Sequence, residues 1–172
     1  MAFTPNGSLD THGAPVIRRE IITNSVVTTV MDSVKLASGF VALGTAGALV
    51  FGNVISIGTE KGVGLNTSGA TGAQMGSFVN TYTAASNNQT VGKVKADVDI
   101  SKMSLYSAEL SAAAGTTTGS NLDGYNMDLA DEDTLDESSA TTSTAQYHSW
   151  GLDPVNSARV IVNILESQVF GS

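Results

Sequence analysis

Polar and apolar residues alternate at every step across residues 93–102 (KVKADVDISK), which puts Val94, Ala96, Val98 and Ile100 on one face and charged or hydroxyl side chains on the other. A strand with one buried face is the expectation. β-branched residues crowd together from Ile21 to Val30, and Val34 and Leu36 follow the polar pair Asp32-Ser33, so strands are expected there too. Residues 53–57 and 78–82 predict two more. Residues 61–74 are rich in Gly, Ser, Thr and Ala and predict a loop, and residues 86–89 (SNNQ) a polar turn. In residues 103–114, Tyr106, Leu110 and Ala113 recur at helical spacing before Gly115, which predicts one short helix. The closing block, residues 146–151 (QYHSWG) and 159–170 (RVIVNILESQVF), contains the run Val160-Ile161-Val162, which favours a strand. Its Val160, Ile164, Leu165 and Val169 also fit a helical stripe.

Residues 36–59 carry no ionisable side chain, and the run is long enough to span a bilayer. Its composition argues otherwise. Five glycines interrupt it, each costing a helix about 1 kcal/mol relative to alanine, and Ser38, Thr45, Asn53 and Ser56 add polar groups that lipid disfavours. Lys35 and Lys61 flank it evenly, without positive-inside asymmetry or aromatic anchors. We read it as core: residues 40–43 and 48–51 as paired antiparallel strands joined by Gly44-Thr45-Ala46-Gly47, with residues 53–57 either another strand or the continuation of 48–51 through a glycine bulge at Gly52.

The elements predict an all-β chain with little helix, arranged as an extended N-terminal arm (residues 1–20) and a single β-rich domain (residues 21–172). The arm holds Pro5, Gly7, Gly13 and Pro15 among isolated apolar positions. The chain has 172 residues, enough to bury a core, yet only 14% are charged and 6% aromatic. Without cysteine there is no disulfide, no thiolate nucleophile and no thiolate metal site. Its start lacks the basic and apolar regions of a secretory signal. The net charge of −8 is uneven: up to residue 102 there are seven Lys or Arg against six acids, whereas beyond it Arg159 faces ten acids. Such a balance repels phosphate, and Arg18-Arg19 and Lys93 with Lys95 are patches too small to offset it, so no nucleic-acid partner is expected.

Catalytic constellations are weak. Ser149, His148 and Asp153 are a paper triad, but adjacent strand residues point to opposite faces. His148 is a candidate general base only in isolation; packing with Tyr147 and Trp150 as an aromatic cluster is the expected role. Gly58, Gly62 and Gly64 match no phosphate-binding pattern and read as turn residues. The tract from Asp123 to Glu137 holds seven carboxylates and no cation, and reads as a solvated loop. Asp131, Asp133, Asp136 and Glu137 supply hard oxygens for a weak calcium candidate, without EF-hand spacing. No catalytic residue, cofactor or membrane association is expected.

The glycine-punctuated SGFVALGTAGALVFGNVISIGT, the alternating KVKADVDISK and the closing DPVNSARVIVNILESQVF together resemble the head decoration, or cement, proteins of tailed bacteriophages. The likeness is one of pattern over roughly residues 25–172, without a diagnostic motif. It implies a small β-barrel or β-tulip-like domain, a homo-oligomer (a trimer before a dimer), and a place on the outer surface of the virion capsid. The arm would lash neighbouring subunits of the major capsid protein together, with Phe3, Pro5, Leu9, Pro15, Val16, Ile17, Arg18 and Arg19 as interface. Avidity on a symmetric lattice does such work without a catalytic group. The alternative is a carbohydrate- or receptor-binding module of a tail or adhesive fibre, with Trp150, Tyr147 and His148 as a stacking platform.

Overall fold

The computed structural model describes residues 3–9, 15–59, 81–92, 94–112, 122–142 and 145–165. The chain is all-β, as the patterning predicts, with thirteen strands and one short helix among these residues. The alternating segment forms β8 (Val94–Asp99), whose Val94, Ala96 and Val98 are buried together with Ile100 just beyond it. Around it lie β2 (Ile17–Ile21), β4 (Ser33–Ala37), β5 (Phe40–Leu43) and β6 (Gly52–Thr59), in the sheet order β2-β8-β6-β4-β5. This sheet curls until Ile22, next to the end of β2, meets Val41 of β5 in a parallel bridge. Its core holds Ile22, Val34, Val41, Phe51, Val54, Ile57 and the apolar face of β8. β3 (Val27–Thr29) and β7 (Thr81–Thr83) form a separate ribbon beside it.

The second unit is a closed five-stranded barrel. β9 (Ser104–Leu110) pairs in parallel with β11 (Thr134–Thr141), which pairs with β10 (Asn126–Leu129). β10 pairs with β12 (Tyr147–Leu152), β12 with β13 (Arg159–Ile164), and β13 returns to β9. β1 (Phe3–Ser8) extends the barrel wall by pairing antiparallel with β9. The interior contains Phe3, Tyr106, Ala108, Met127, Leu129, Leu135, Tyr147, Val160, Val162 and Ile164.

Several expectations give way here. The described residues of the expected arm do not stand apart: β1 belongs to the barrel and β2 to the other sheet, because both present residues that complete a core or a ladder within the same chain. Residues 40–43 are a strand, but β5 pairs with β4 rather than with residues 48–51, which form no named strand. The turn between β4 and β5 is Ser38-Gly39, both with positive φ (52° and 85°), and a two-residue turn of that type suits the right-handed twist of a hairpin. The irregularity in β6 falls between Val54 and Ser56, not at Gly52. Gly52 itself lies against β8 so closely that a Cβ would overlap the Asp99 carbonyl oxygen.

The expected helix of residues 103–114 is strand β9 over Ser104–Leu110; Ala113 lies outside the described residues. A spacing of four satisfies both periods, so Tyr106 and Leu110 could not decide, whereas the buried Ala108 between them fits only a period of two. The acidic tract is likewise not a loop, since Met127, Leu129 and Leu135 alternate inward beneath the charges of β10 and β11. The expected polar turn is present at residues 86–87 and runs into α1 (Asn88–Val91), where the buried Asn88 amide donates to the Ile22 and Val94 carbonyls and accepts from the Val94 N–H. The loop expected at 61–74 lies outside the described residues, as do residues 78–80. No helix among the described residues is long and apolar enough to cross a membrane.

A buried polar seam joins the two units. The Tyr106 hydroxyl donates to Asp99 Oδ2 (2.6 Å), and the Tyr147 hydroxyl donates to Asn53 Oδ1 (3.1 Å) while lying 2.8 Å from Ser33 Oγ. Gln146 donates to the carbonyls of Thr45 and Ala48 and accepts the Leu129 N–H, and the Ser33 N–H donates to the Glu132 carbonyl. Burial pushes both tyrosines well above the ordinary phenol value, Tyr106 further through the Asp99 carboxylate, so both stay protonated donors. At Val50-Phe51 consecutive side chains enter different cores, Val50 the barrel and Phe51 the neighbouring sheet.

Candidate functional site

The eight residues expected to form an interface separate into two groups. Phe3 is wholly buried, its ring packed between Tyr106 (centroids 6.4 Å, edge-on) and Tyr147 (5.4 Å), so it is a core residue and faces no partner in this fold. Pro5, Leu9, Pro15, Val16, Ile17, Arg18 and Arg19 are exposed. The charges of the last two are engaged: Arg18 pairs with Glu20 (2.7 Å), and Arg19 grips Asp97 through two bonds of 2.5 and 2.6 Å. That fork holds the Asp97 carboxyl below its usual range, with the Ser56 hydroxyl adding to the effect.

The ends of the N-terminal segment are pinned to the connection between β8 and β9. The Leu9 N–H donates to the Met103 carbonyl (2.8 Å), and the Ile100 N–H donates to the Val16 carbonyl (2.8 Å). Around this connection four large apolar side chains stand in solvent: Leu9 (39% exposed), Val16 (50%), Ile17 (51%) and Met103 (51%). Met103 was hidden from sequence reasoning by its placement in a predicted helix. Its one signal was position, an apolar residue just past the end of the alternation at Lys102.

The aromatic cluster is divided by the strand it lies on. Tyr147 and Ser149 point into the barrel and His148 and Trp150 out of it, as a period of two requires. Trp150, 48% exposed, stands edge-on to His148 (5.1 Å) and donates its indole N–H to Asn163 Oδ1 (2.7 Å). His148 Nδ1 lies 2.7 Å from Asn126 Oδ1, and Asn163 Nδ2 donates to the Lys102 carbonyl (3.0 Å). The paper triad does not assemble: Ser149 is sealed in the barrel wall, and Asp153 accepts the Ser107 hydroxyl (2.5 Å). That bond is the main reason the Asp153 carboxyl lies below its ordinary value. Asn126 and Asn163, which orient the exposed rings, had no sequence signal beyond being polar at outward strand positions.

In the acidic tract Asp131, Asp136 and Glu137, three of the four candidate calcium ligands, accept backbone N–H groups. Asp131 Oδ1 accepts the N–H groups of Asp133 and Thr134, and Asp136 Oδ1 accepts the N–H of Ser138. Glu137 is buried and accepts the Ser111 hydroxyl and the Ala112 N–H. Among the described residues no three acidic or histidine side chains are grouped to hold a metal ion.

No family model matches the chain, and no curated protein and no solved structure shows significant similarity to it.

Proposed function

We propose that this protein is a structural component of a virion, decorating the outer surface of a phage capsid and crosslinking neighbouring subunits of its major capsid protein. The observation that carries this reading is the exposed apolar surface of Leu9, Val16, Ile17 and Met103 around the joint between the two units. Apolar side chains at strand ends whose backbone is pinned by hydrogen bonds suit a docking surface, because less conformational freedom remains to be lost on contact. Homo-oligomerisation, with a trimer before a dimer, multiplies each such contact through avidity. In this reading the N-terminal segment acts as a fixed surface rather than as a free lash.

Deleting residues 2–19 would remove β1 and most of β2 and so unfold the protein. Surface substitution is the appropriate test. Light scattering should give a closed oligomer, and electron microscopy of assemblies co-purifying with the native protein should place it on capsids. Ile17→Ser and Met103→Ser should lower its occupancy there without lowering its melting temperature. A strictly monomeric protein that accompanies no particle contradicts the reading.

A second reading, a carbohydrate- or receptor-binding module, is favoured by Trp150, an exposed ring on a strand, edge-on to His148 and hydrogen-bonded to Asn163. Tyr147 takes no part in it, being buried. Glycan-array binding that falls with Trp150→Ala would select this reading over the first.

A further inference from the structure

Between the two units, where β1 crosses in front of the seam, lies a cavity of about 250 Å³ that opens to solvent. Pro5, Pro15, Ile55 and Leu105 give it apolar walls, and its polar corner is formed by Asp99, Ser104 and Tyr106. Asp99 is only 4% exposed. Its carboxylate accepts the Ser101 N–H (2.9 Å) and the Tyr106 hydroxyl (2.6 Å), and no Lys, Arg or His pairs with it among the described residues. The two donors found among the described residues occupy about half of a carboxylate's acceptor sites. A buried carboxylate that no described cation faces gains from a cation entering the cavity.

The walls decide which cation. Calcium or magnesium calls for six or more oxygens, usually with several carboxylates, whereas here a single acid faces apolar side chains. The volume lies below that of a site for a drug-sized ligand. We propose that this cavity binds a primary alkylammonium group, its ammonium on Asp99 and its methylene chain against Pro5, Ile55 and Leu105. The chemistry is that of a small free amine or of a lysine side chain, whose stem buries readily while its head seeks charge.

The probe is n-butylammonium chloride titrated into the intact protein, followed through the amide resonances of Ser101, Ser104 and Ile55. Saturable shifts confined to these residues are expected, with affinity lowered at least about tenfold by Asp99→Asn. Because that variant can lose stability at the seam, Leu105→Trp, which fills the cavity and keeps the carboxylate, should weaken binding as well. On the unaltered protein 1-butanol, of similar shape but uncharged, should fail to saturate. Competition by acetyl-Ala-Lys-Ala-amide would assign the site to a lysine side chain and its failure to a free amine; both results support an alkylammonium site. Non-saturating shifts, equal binding of 1-butanol, or binding unchanged in both variants overturns it.

Discussion

Asp32 sits at the joint between the units, buried, with its Oδ2 accepting the Thr29 N–H at 2.7 Å. Burial pushes its carboxyl up to about 6, with the nearby Glu132 and Asp133 adding to the rise and the Thr29 bond opposing it. An aspartate in the unfolded chain titrates near ~3.9. Between those values the folded protein therefore holds more protons than the unfolded one, and stability is withdrawn as pH rises through that window. The protonated carboxyl is well accommodated below about pH 4, and above about pH 6 the charged form costs the fold on the order of 3 kcal/mol. Asp32→Asn keeps an acceptor for Thr29 and cannot ionise. Its urea-unfolding free energy should match that of the parent at pH 4 and exceed it by about 1–3 kcal/mol at pH 7.5. Taking the difference between the two proteins cancels the opposite pH dependence of Asp97, which its Arg19 fork stabilises in the charged form. An equal difference at both pH values would remove the assignment.

Among the elements, the β4–β5 hairpin has the most local explanation. Ser38 and Gly39 both adopt positive φ, and a Cβ at Gly39 would meet nothing within 4 Å, so the cost of a side chain there is conformational rather than steric. Gly39→Ala should lower stability by about 1–2 kcal/mol, and Ser38→Asn, which makes the favoured Asn-Gly pair, should raise it by about 0.5 kcal/mol. Denaturation midpoints at unchanged slope would measure both, and a neutral Gly39→Ala would contradict the turn. This hairpin also explains what the chain discloses in advance. The strand character of residues 40–43 was legible from composition, but Gly44 and Gly47 offered a second loop, and only the tighter turn at Ser38-Gly39 settles the partner. β8 was readable because its alternation is strict. β10 and β11 were not, because Asp128 and Asp136 on the outer face concealed Met127, Leu129 and Leu135 on the inner one. Of the interface expectations, exposure at Val16 and Ile17 followed from a polar neighbourhood; the burial of Phe3 did not, because it depends on β9, about a hundred residues away.

For the whole molecule the consequence of that long-range pairing is topological. β1 lies on the barrel, the chain then builds the other sheet through β8, and it returns to complete the barrel from β9 onward. The barrel is therefore not a continuous segment, and β1 ties the start of the chain to the second half. The seam makes the same connection energetically, since the side chains of Ser33, Asn53, Asp99, Tyr106, Gln146 and Tyr147 in it are buried and a partner lost on one side leaves an unpaired group on the other. Each such orphan costs about 1–3 kcal/mol. Among the described residues Asn53 Nδ2 has no hydrogen-bond partner, so the seam has little reserve at that point. We therefore expect the parent protein to unfold in one calorimetric transition whose enthalpy equals the van't Hoff value. Tyr106→Phe, Tyr147→Phe and Gln146→Ala combined remove the barrel's side-chain donors to Asp99, to Asn53, and to the Thr45 and Ala48 carbonyls. The triple variant should melt in two steps, the less stable unit first, because each core then opens without exposing the other. A single transition persisting in that variant would locate the coupling instead in the apolar contact at Val50-Phe51 and in the strand β1.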